Sequence, residues 1–148
     1  MLKVLLGADG SGYAQKAAEY LVRLFQGRED VEVTMLHVKD MSLFTMSFVG
    51  EPGVEALPNM ETMQQQVEHL SQSSLASVKE ALGPLAQRAV ARAEWGKPVE
   101  TICEVAKQGG HDLIVLGSSG MGQITGIFLG SVSDRVAHRA TVPVLIVR

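Results

Sequence analysis

The sequence has very little cysteine and no long apolar segment, and these two absences exclude several classes of protein. Cys103 is the one cysteine among 148 residues, so an intramolecular disulfide is excluded, and with it a disulfide-stabilised secreted fold. No apolar run reaches the roughly 18 residues that a membrane-spanning helix needs. The run at Leu2–Ala8 meets Asp9 too early for a signal peptide. We therefore expect a cytoplasmic protein without a membrane anchor.

An excess of positive charge is also lacking. The chain has 13 Lys and Arg against 16 Asp and Glu, a formal net charge of −3 at pH 7, and it contains no basic run. Nucleic acids and anionic membranes attract basic surfaces, so neither is expected as a partner. The length suits one domain that buries a core without help from metal or disulfide, and we expect that domain to span residues 1–148.

Short β-branched runs alternate along the chain with stretches of helical spacing. The predicted strands are Leu2–Ala8, Val31–Val38, Ala89–Trp95, Asp112–Leu116 and Val142–Val147. The predicted helices run from Ser11, as N-cap, to Gly27, from Met63 to near Gly83-Pro84 or shortly beyond, from Pro98 to Gly109, and from Ser131 to Ala140. Met41–Met60 has no clean period and is predicted to be a long loop.

Strands separated by helices predict parallel pairing with right-handed crossovers. The expected fold is α/β: an open, doubly wound, five-stranded parallel sheet with helices on both faces, a Rossmann-like architecture. Ligands of such sheets bind outside the carboxyl ends of the strands, where the strand order reverses. Glycine-rich loops follow Ala8 and Leu116, so a ligand is expected between them.

The second of these loops, Gly117–Gly130, leads directly into a helix. Glycines let backbone N–H groups approach an anion, and a helix N-terminus adds free N–H groups and the positive end of its dipole. Ser131 could add a donor, cap the helix, or do both. Phosphate fits this pattern, and so does a flexible surface loop with no ligand.

Several motifs of nucleotide and hydrolase chemistry are missing. The chain has no Gly-x-x-x-x-Gly-Lys-Ser/Thr, and Gly120-Met121-Gly122 is followed by Gly126, one residue too late for the dinucleotide fingerprint. It has no Gly-x-Ser-x-Gly nucleophile motif and no histidine pair at metal-ligand spacing with a carboxylate. No catalytic residue is assigned.

Four ordered segments resemble the ATP-binding universal stress proteins. Gly117-x2-Gly120-x9-Gly130-Ser131 matches that family's glycine pattern, and Ala8-Asp9-Gly10-Ser11 resembles its first loop. Leu36-His37-Val38 resembles its second strand end, and Pro143-Val144-Leu145-Ile146-Val147 its final strand. The resemblance spans the whole chain and implies the fold of the adenine nucleotide alpha hydrolase-like group.

The resemblance implies a role for each matching position. Asp9 would contact the ribose or the phosphate side and could hold Mg²⁺ through the nucleotide. Val38 would bind adenine, largely through its backbone. The remaining implied contacts are Gly7 and Ala8 at the base, Leu116 and Gly117 at the ribose, and Gly120, Gly130, Ser131 and Val132 at the phosphates.

One departure concerns the charge of the loop. Members of the family often have Arg or His between the first two glycines, whereas this chain has Ser118-Ser119. The neutral pair removes a cation from the polyphosphate, so AMP or ADP is expected to compete well with ATP.

The terminal strand Val142–Val147 would expose an unpaired edge, which a second copy could cover about a two-fold axis. The resemblance also implies a homodimer. The favoured function is a nucleotide-binding module of the stress response whose state a partner protein, not identifiable from the sequence, reads. A slow ATPase or nucleotidyl transferase, and a protein-interaction module of the same fold that binds no nucleotide, remain open.

Overall fold

The computed structural model describes residues 1–42, 59–119 and 129–148. Its centre is a five-stranded, entirely parallel sheet with the strand order β3-β2-β1-β4-β5. The strands are β1 Leu2–Gly7, β2 Val31–Lys39, β3 Ala89–Trp95, β4 Leu113–Gly117 and β5 Val144–Val147. The predicted α/β fold with a five-stranded parallel sheet is confirmed, and each predicted strand is present to within two residues at either end.

The described helices connect these strands. They are α1 Gly12–Leu24, α2 Met60–Ala81, α3 Pro98–Gln108 and α4 Ser131–Arg139, with a 3₁₀ helix at Gly83–Arg88. The α-helical part of the second prediction ends at Ala81, and the 3₁₀ helix begins at Gly83, whose φ of +46° favours glycine. The predicted long loop Met41–Met60 lies mostly outside the described residues, and α2 already begins at its last member.

Helices cover both faces of the sheet, which explains the consecutive apolar residues of its strands. Val4 and Leu6 of β1 pack in one core with α1, α2 and the 3₁₀ helix. Leu5, between them, packs in a second core with α3 and α4. Successive side chains of a strand point to opposite faces, so a strand buried on both sides is apolar throughout.

The strand order reverses at β1, and this reversal positions the site. Leu6 pairs with Met35 of β2 on one side and with Val115 of β4 on the other. The chain therefore leaves β1 and β4 in opposite lateral directions above the same edge of the sheet, and a crevice opens between their carboxyl ends. We call this place the switch-point edge.

β5 is an outer strand of the sheet and, among the strands that the structure describes, pairs with β4 alone. All four of its residues are half-buried. Among the described helices, none is both long enough and apolar enough to cross a bilayer.

Candidate functional site

The turn between β1 and α1 holds Asp9 in a defined conformation. Gly10 has a φ of +85°, a left-handed conformation that glycine adopts without strain. Asp9 Oδ1 accepts hydrogen bonds from the Ser11 backbone N–H at 2.9 Å and from the Ser11 hydroxyl at 2.5 Å. The Ser11 oxygen in turn accepts from the Ala14 N–H at 3.2 Å and caps α1, as predicted.

Asp9 uses only one of its carboxylate oxygens in this turn. The residue is exposed, and no donor among the described residues reaches Oδ2. Within the described ranges, Asp9 also belongs to no group of three or more metal-ligating side chains. Oδ2 is therefore available to a ligand group or to a cation that the ligand brings with it.

The end of β2 presents an unpaired piece of backbone next to β1. Lys39 C=O accepts from Gly96 N–H at 3.1 Å, so the backbone groups of Lys39 point towards β3. Because these groups alternate along a strand, the N–H and C=O of Val38 point towards β1. The hydrogen-bond ladder between β1 and β2 ends with the bond from Ala8 N–H to Leu36 C=O at 2.8 Å. Beyond this bond, none of the described residues pairs with the Val38 backbone on its β1 side.

Gly117, at the end of β4, lies directly against the first turn of α1. A Cβ on Gly117 would lie 2.6 Å from both the carbonyl carbon and the Cβ of Tyr13, closer than real Cβ contacts come. The absence of a side chain at Gly117 thus lets α1 approach β4. On β1, a Cβ at Gly7 would meet the side chain of Leu116 at 2.6 Å.

The glycine-rich loop is closed at its base by one hydrogen bond. Gly130 N–H donates to Ser118 C=O at 2.6 Å, and Gly130 is the N-cap of α4. The first intrahelical bond runs from Asp134 N–H to Gly130 C=O. The N–H groups of Ser131, Val132 and Ser133 consequently lack acceptors among the described residues, as the first turn of a helix does.

Ser131 does not cap α4, although capping is one of the two roles predicted for it. It is the first residue of α4 rather than its cap, it is exposed, and its hydroxyl makes no capping bond. The capping alternative is therefore wrong, because Gly130 occupies the N-cap position. The donor alternative is still open.

Sequence reasoning missed two side chains that support the site. The Ser133 hydroxyl donates to Gly117 C=O at 2.6 Å and ties α4 to the end of β4. His37, which received no role in the sequence analysis, is buried and places Nδ1 2.6 Å from Ala8 C=O. Both contacts join residues that are distant in the sequence, so only the fold reveals them.

The predicted contact residues occupy the ends of β1, β2 and β4 and the start of α4, around the switch-point edge. These residues are Gly7, Ala8, Asp9, Val38, Leu116, Gly117, Gly130, Ser131 and Val132. Gly120 lies outside the described residues. Two concavities of about 500 and 390 Å³ are lined by other residues, on α2 and between α3 and α4.

Comparison with known sequences places this arrangement in a family. The sequence model of the Universal stress protein family matches residues 1–148. Universal stress protein YxiE of Bacillus subtilis is 32% identical over 148 residues, which are 99% of this chain and 98% of the relative.

Solved structures share the fold. The structure of MJ0577, a universal stress protein of Methanocaldococcus jannaschii, has a TM-score of 0.75 at 25% identity and covers 99% of this chain and 94% of its own. A universal stress protein family protein of Arabidopsis thaliana, solved with AMP bound, has a TM-score of 0.69 at 19% identity and covers 99% and 91%.

Proposed function

Since this chain belongs to the universal stress protein family, we propose that it is a regulatory protein of the stress response that binds one adenine nucleotide per chain at the switch-point edge. The observation that carries the proposal is a pair of backbone elements at this edge that have no partner among the described residues. One is the N–H and C=O of Val38, and the other is the first turn of α4 at Ser131, Val132 and Ser133.

The Val38 backbone suits adenine. The Watson–Crick edge of adenine has one acceptor, N1, beside one donor, the N6 amino group. A strand residue whose N–H and C=O point the same way offers the matching donor and acceptor. The half-buried Val38 side chain, which packs with the α3–α4 core, leaves an apolar surface beside the base. Gly7, the last residue of β1, and Ala8, which follows it, lie beside β2 just before this position.

The start of α4 suits phosphate. Three consecutive N–H groups without described acceptors, together with the positive end of the helix dipole, favour an anion. Ser118 and Ser119 add no charge, and both are buried. We therefore expect AMP and ADP to compete with ATP rather than to bind far more weakly.

Asp9 is assigned the ribose or the phosphate side. Its Oδ2 accepts a hydrogen bond from a ribose hydroxyl, or it joins the coordination of a Mg²⁺ ion carried by ATP. Both tasks leave the turn intact, because Oδ1 alone holds Ser11.

The regulatory form is proposed to be a homodimer. β5 is an outer strand with half-buried apolar residues, and pairing it with the β5 of a second copy satisfies its outer backbone groups. The single cysteine agrees with the cytoplasm, which we propose as the location. The nucleotide state would be read by a partner protein.

Calorimetric titration tests the binding. Protein stripped of bound nucleotide is titrated with Mg-ATP, ADP and AMP, and saturation near one nucleotide per chain is expected. Trp95 is the only tryptophan of the chain, and its ring centroid lies 5.3 Å from Nζ of Lys39, the residue that follows Val38. Its fluorescence therefore gives a second readout. Absence of binding at millimolar nucleotide would instead make this a protein-interaction module.

A further inference from the structure

Two hydrogen bonds to β2 fix Ala8 and, with it, the orientation of the Ala8–Asp9 peptide group. Ala8 N–H donates to Leu36 C=O at 2.8 Å, and Ala8 C=O lies 2.6 Å from His37 Nδ1. A carbonyl oxygen only accepts, so His37 donates here through Nδ1–H. The His37 ring takes the place that the Val38 N–H would take if the parallel ladder continued.

This arrangement sets the direction of the next N–H group. The chain contains no cis peptide bond among its described residues, and in a trans peptide the N–H points opposite to the C=O. Because Ala8 C=O points to His37 on β2, Asp9 N–H points away from β2. β2 and β4 flank β1 on opposite sides, so this N–H is directed to the side of the crevice. No acceptor among the described residues meets it.

We propose that His37 is a positioning residue whose hydrogen bond aims the Asp9 backbone N–H into the crevice, where that N–H donates to an oxygen of the bound nucleotide. The inference rests on the proposed nucleotide site. It adds a backbone donor to the Asp9 carboxylate and gives a function to a buried histidine. The same bond occupies Ala8 C=O, so that Val38 N–H has no acceptor among the residues that the structure describes, and one side chain prepares donors on both strands.

The test exploits the two positions of nitrogen in an imidazole. In H37N the side-chain amide nitrogen is attached to Cγ, like Nδ1, and still reaches Ala8 C=O. In H37Q the amide nitrogen is attached to Cδ, one bond further from the backbone, and takes the position of the imidazole Nε2. We expect H37N to bind AMP within about threefold of the wild-type affinity, and H37Q to bind roughly fivefold to tenfold more weakly, the equivalent of one hydrogen bond.

His111 offers a matched control. It is also buried, but it uses Nε2, at 3.0 Å from Thr34 Oγ1, and it precedes β4 at the other end of the sheet. H111N loses that bond and should lower the melting temperature without changing AMP affinity. An H37Q protein that binds AMP like the wild type would overturn the proposal.

A measurement on the unmodified protein covers the case in which H37Q does not fold. In ¹⁵N–¹H spectra the Asp9 amide proton should move downfield when AMP is added, as a newly hydrogen-bonded N–H does, and it should do the same in H37N. If AMP binds and this resonance stays in place, the inference is wrong while the nucleotide site stands. If wild-type protein shows no AMP binding at all, the proposed function itself is wrong.

Discussion

The Cβ that Gly117 lacks would fall 2.6 Å from the carbonyl carbon of Tyr13. The first glycine of the pattern Gly117-x2-Gly120-x9-Gly130-Ser131 is thus required by helix packing, whatever it does for a ligand. The end of β4 lies against the first turn of α1, and no side chain at Gly117 separates the two backbones. A glycine in a motif that suggests ligand contact therefore also allows β4 and α1 to approach each other closely beside the crevice.

Substitution of Gly117 by alanine should destabilise the fold. The contacted atoms belong mainly to the Tyr13 backbone and cannot rotate away, so we expect a loss of about 1–3 kcal/mol in the free energy of unfolding. Gly12 provides the control, since a Cβ there meets nothing within 4 Å. Urea unfolding of G117A and G12A measures the difference, and equal stabilities would show that the Tyr13 contact has no energetic weight.

Removal of the Ser133 hydroxyl should loosen the start of α4. S133A leaves the half-buried Gly117 carbonyl without its 2.6 Å donor, and we expect a cost of about 1–2 kcal/mol in the free energy of unfolding. S131A removes an exposed hydroxyl that makes no capping bond, and it should change stability by less than about 0.5 kcal/mol. Thermal unfolding of both variants tests this, and an S133A protein as stable as the wild type would mean that the bond to Gly117 does not hold α4 in place.

The strands were predictable because their signal is local. Val4 to Leu6 and Ile114 to Leu116 are consecutive apolar residues, and a strand covered on both faces requires such a run. Ser133 and His37 were not predictable as parts of the site, because their partners Gly117 and Ala8 lie 16 and 29 residues away and meet them only in the folded sheet.

The cap of α4 shows where local signals compete. Serine is a common N-cap, but here the adjacent Gly130 takes that position, and its N–H closes the loop onto Ser118 instead. Nothing in the order Gly130-Ser131 distinguishes the two registers. The Asp9 turn has no such competition, because an Asp-Gly-Ser sequence favours the local side-chain bonds that form there.

Neutralising Asp9 should separate its two tasks. In D9N the amide oxygen still accepts from the Ser11 N–H, so the melting temperature should change little, whereas D9A loses that acceptor. The lost charge should weaken Mg-ATP binding by roughly tenfold, about 1.4 kcal/mol. Calorimetry on D9N checks this. If D9N binds Mg-ATP with wild-type affinity, the Asp9 carboxylate takes no part in binding.

The Cys103 thiol should react slowly in the folded protein. Burial raises the pKa of this thiol above its ordinary value, so less thiolate is present at any given pH, and the thiolate is the reactive form. We expect iodoacetamide at pH 7.5 to modify Cys103 several-fold more slowly in the folded chain than in the same chain unfolded in urea. Equal rates would indicate that the helix exposes the thiol.

Ile146 gives a direct test of the proposed dimer edge. Pro143 and Val147 direct their carbonyls to β4, accepting from Ile114 N–H at 2.9 Å and Ser118 N–H at 2.7 Å. By alternation Leu145 faces β4 as well, while the N–H of Ile146 points to the open side. Proline at position 146 removes this outward donor and spares the bonds to β4.

We expect wild-type protein and the control I146V, which keeps the N–H, to be dimers by light scattering at micromolar concentration. I146P should be a monomer with an unchanged circular dichroism spectrum. A dimeric I146P would place the interface on another surface, and a monomeric wild type would refute the dimer. Nucleotide affinity measured on the I146P monomer then shows whether β5 pairing influences the switch-point edge, which adjoins β5 through the bond from Ser118 N–H to Val147 C=O.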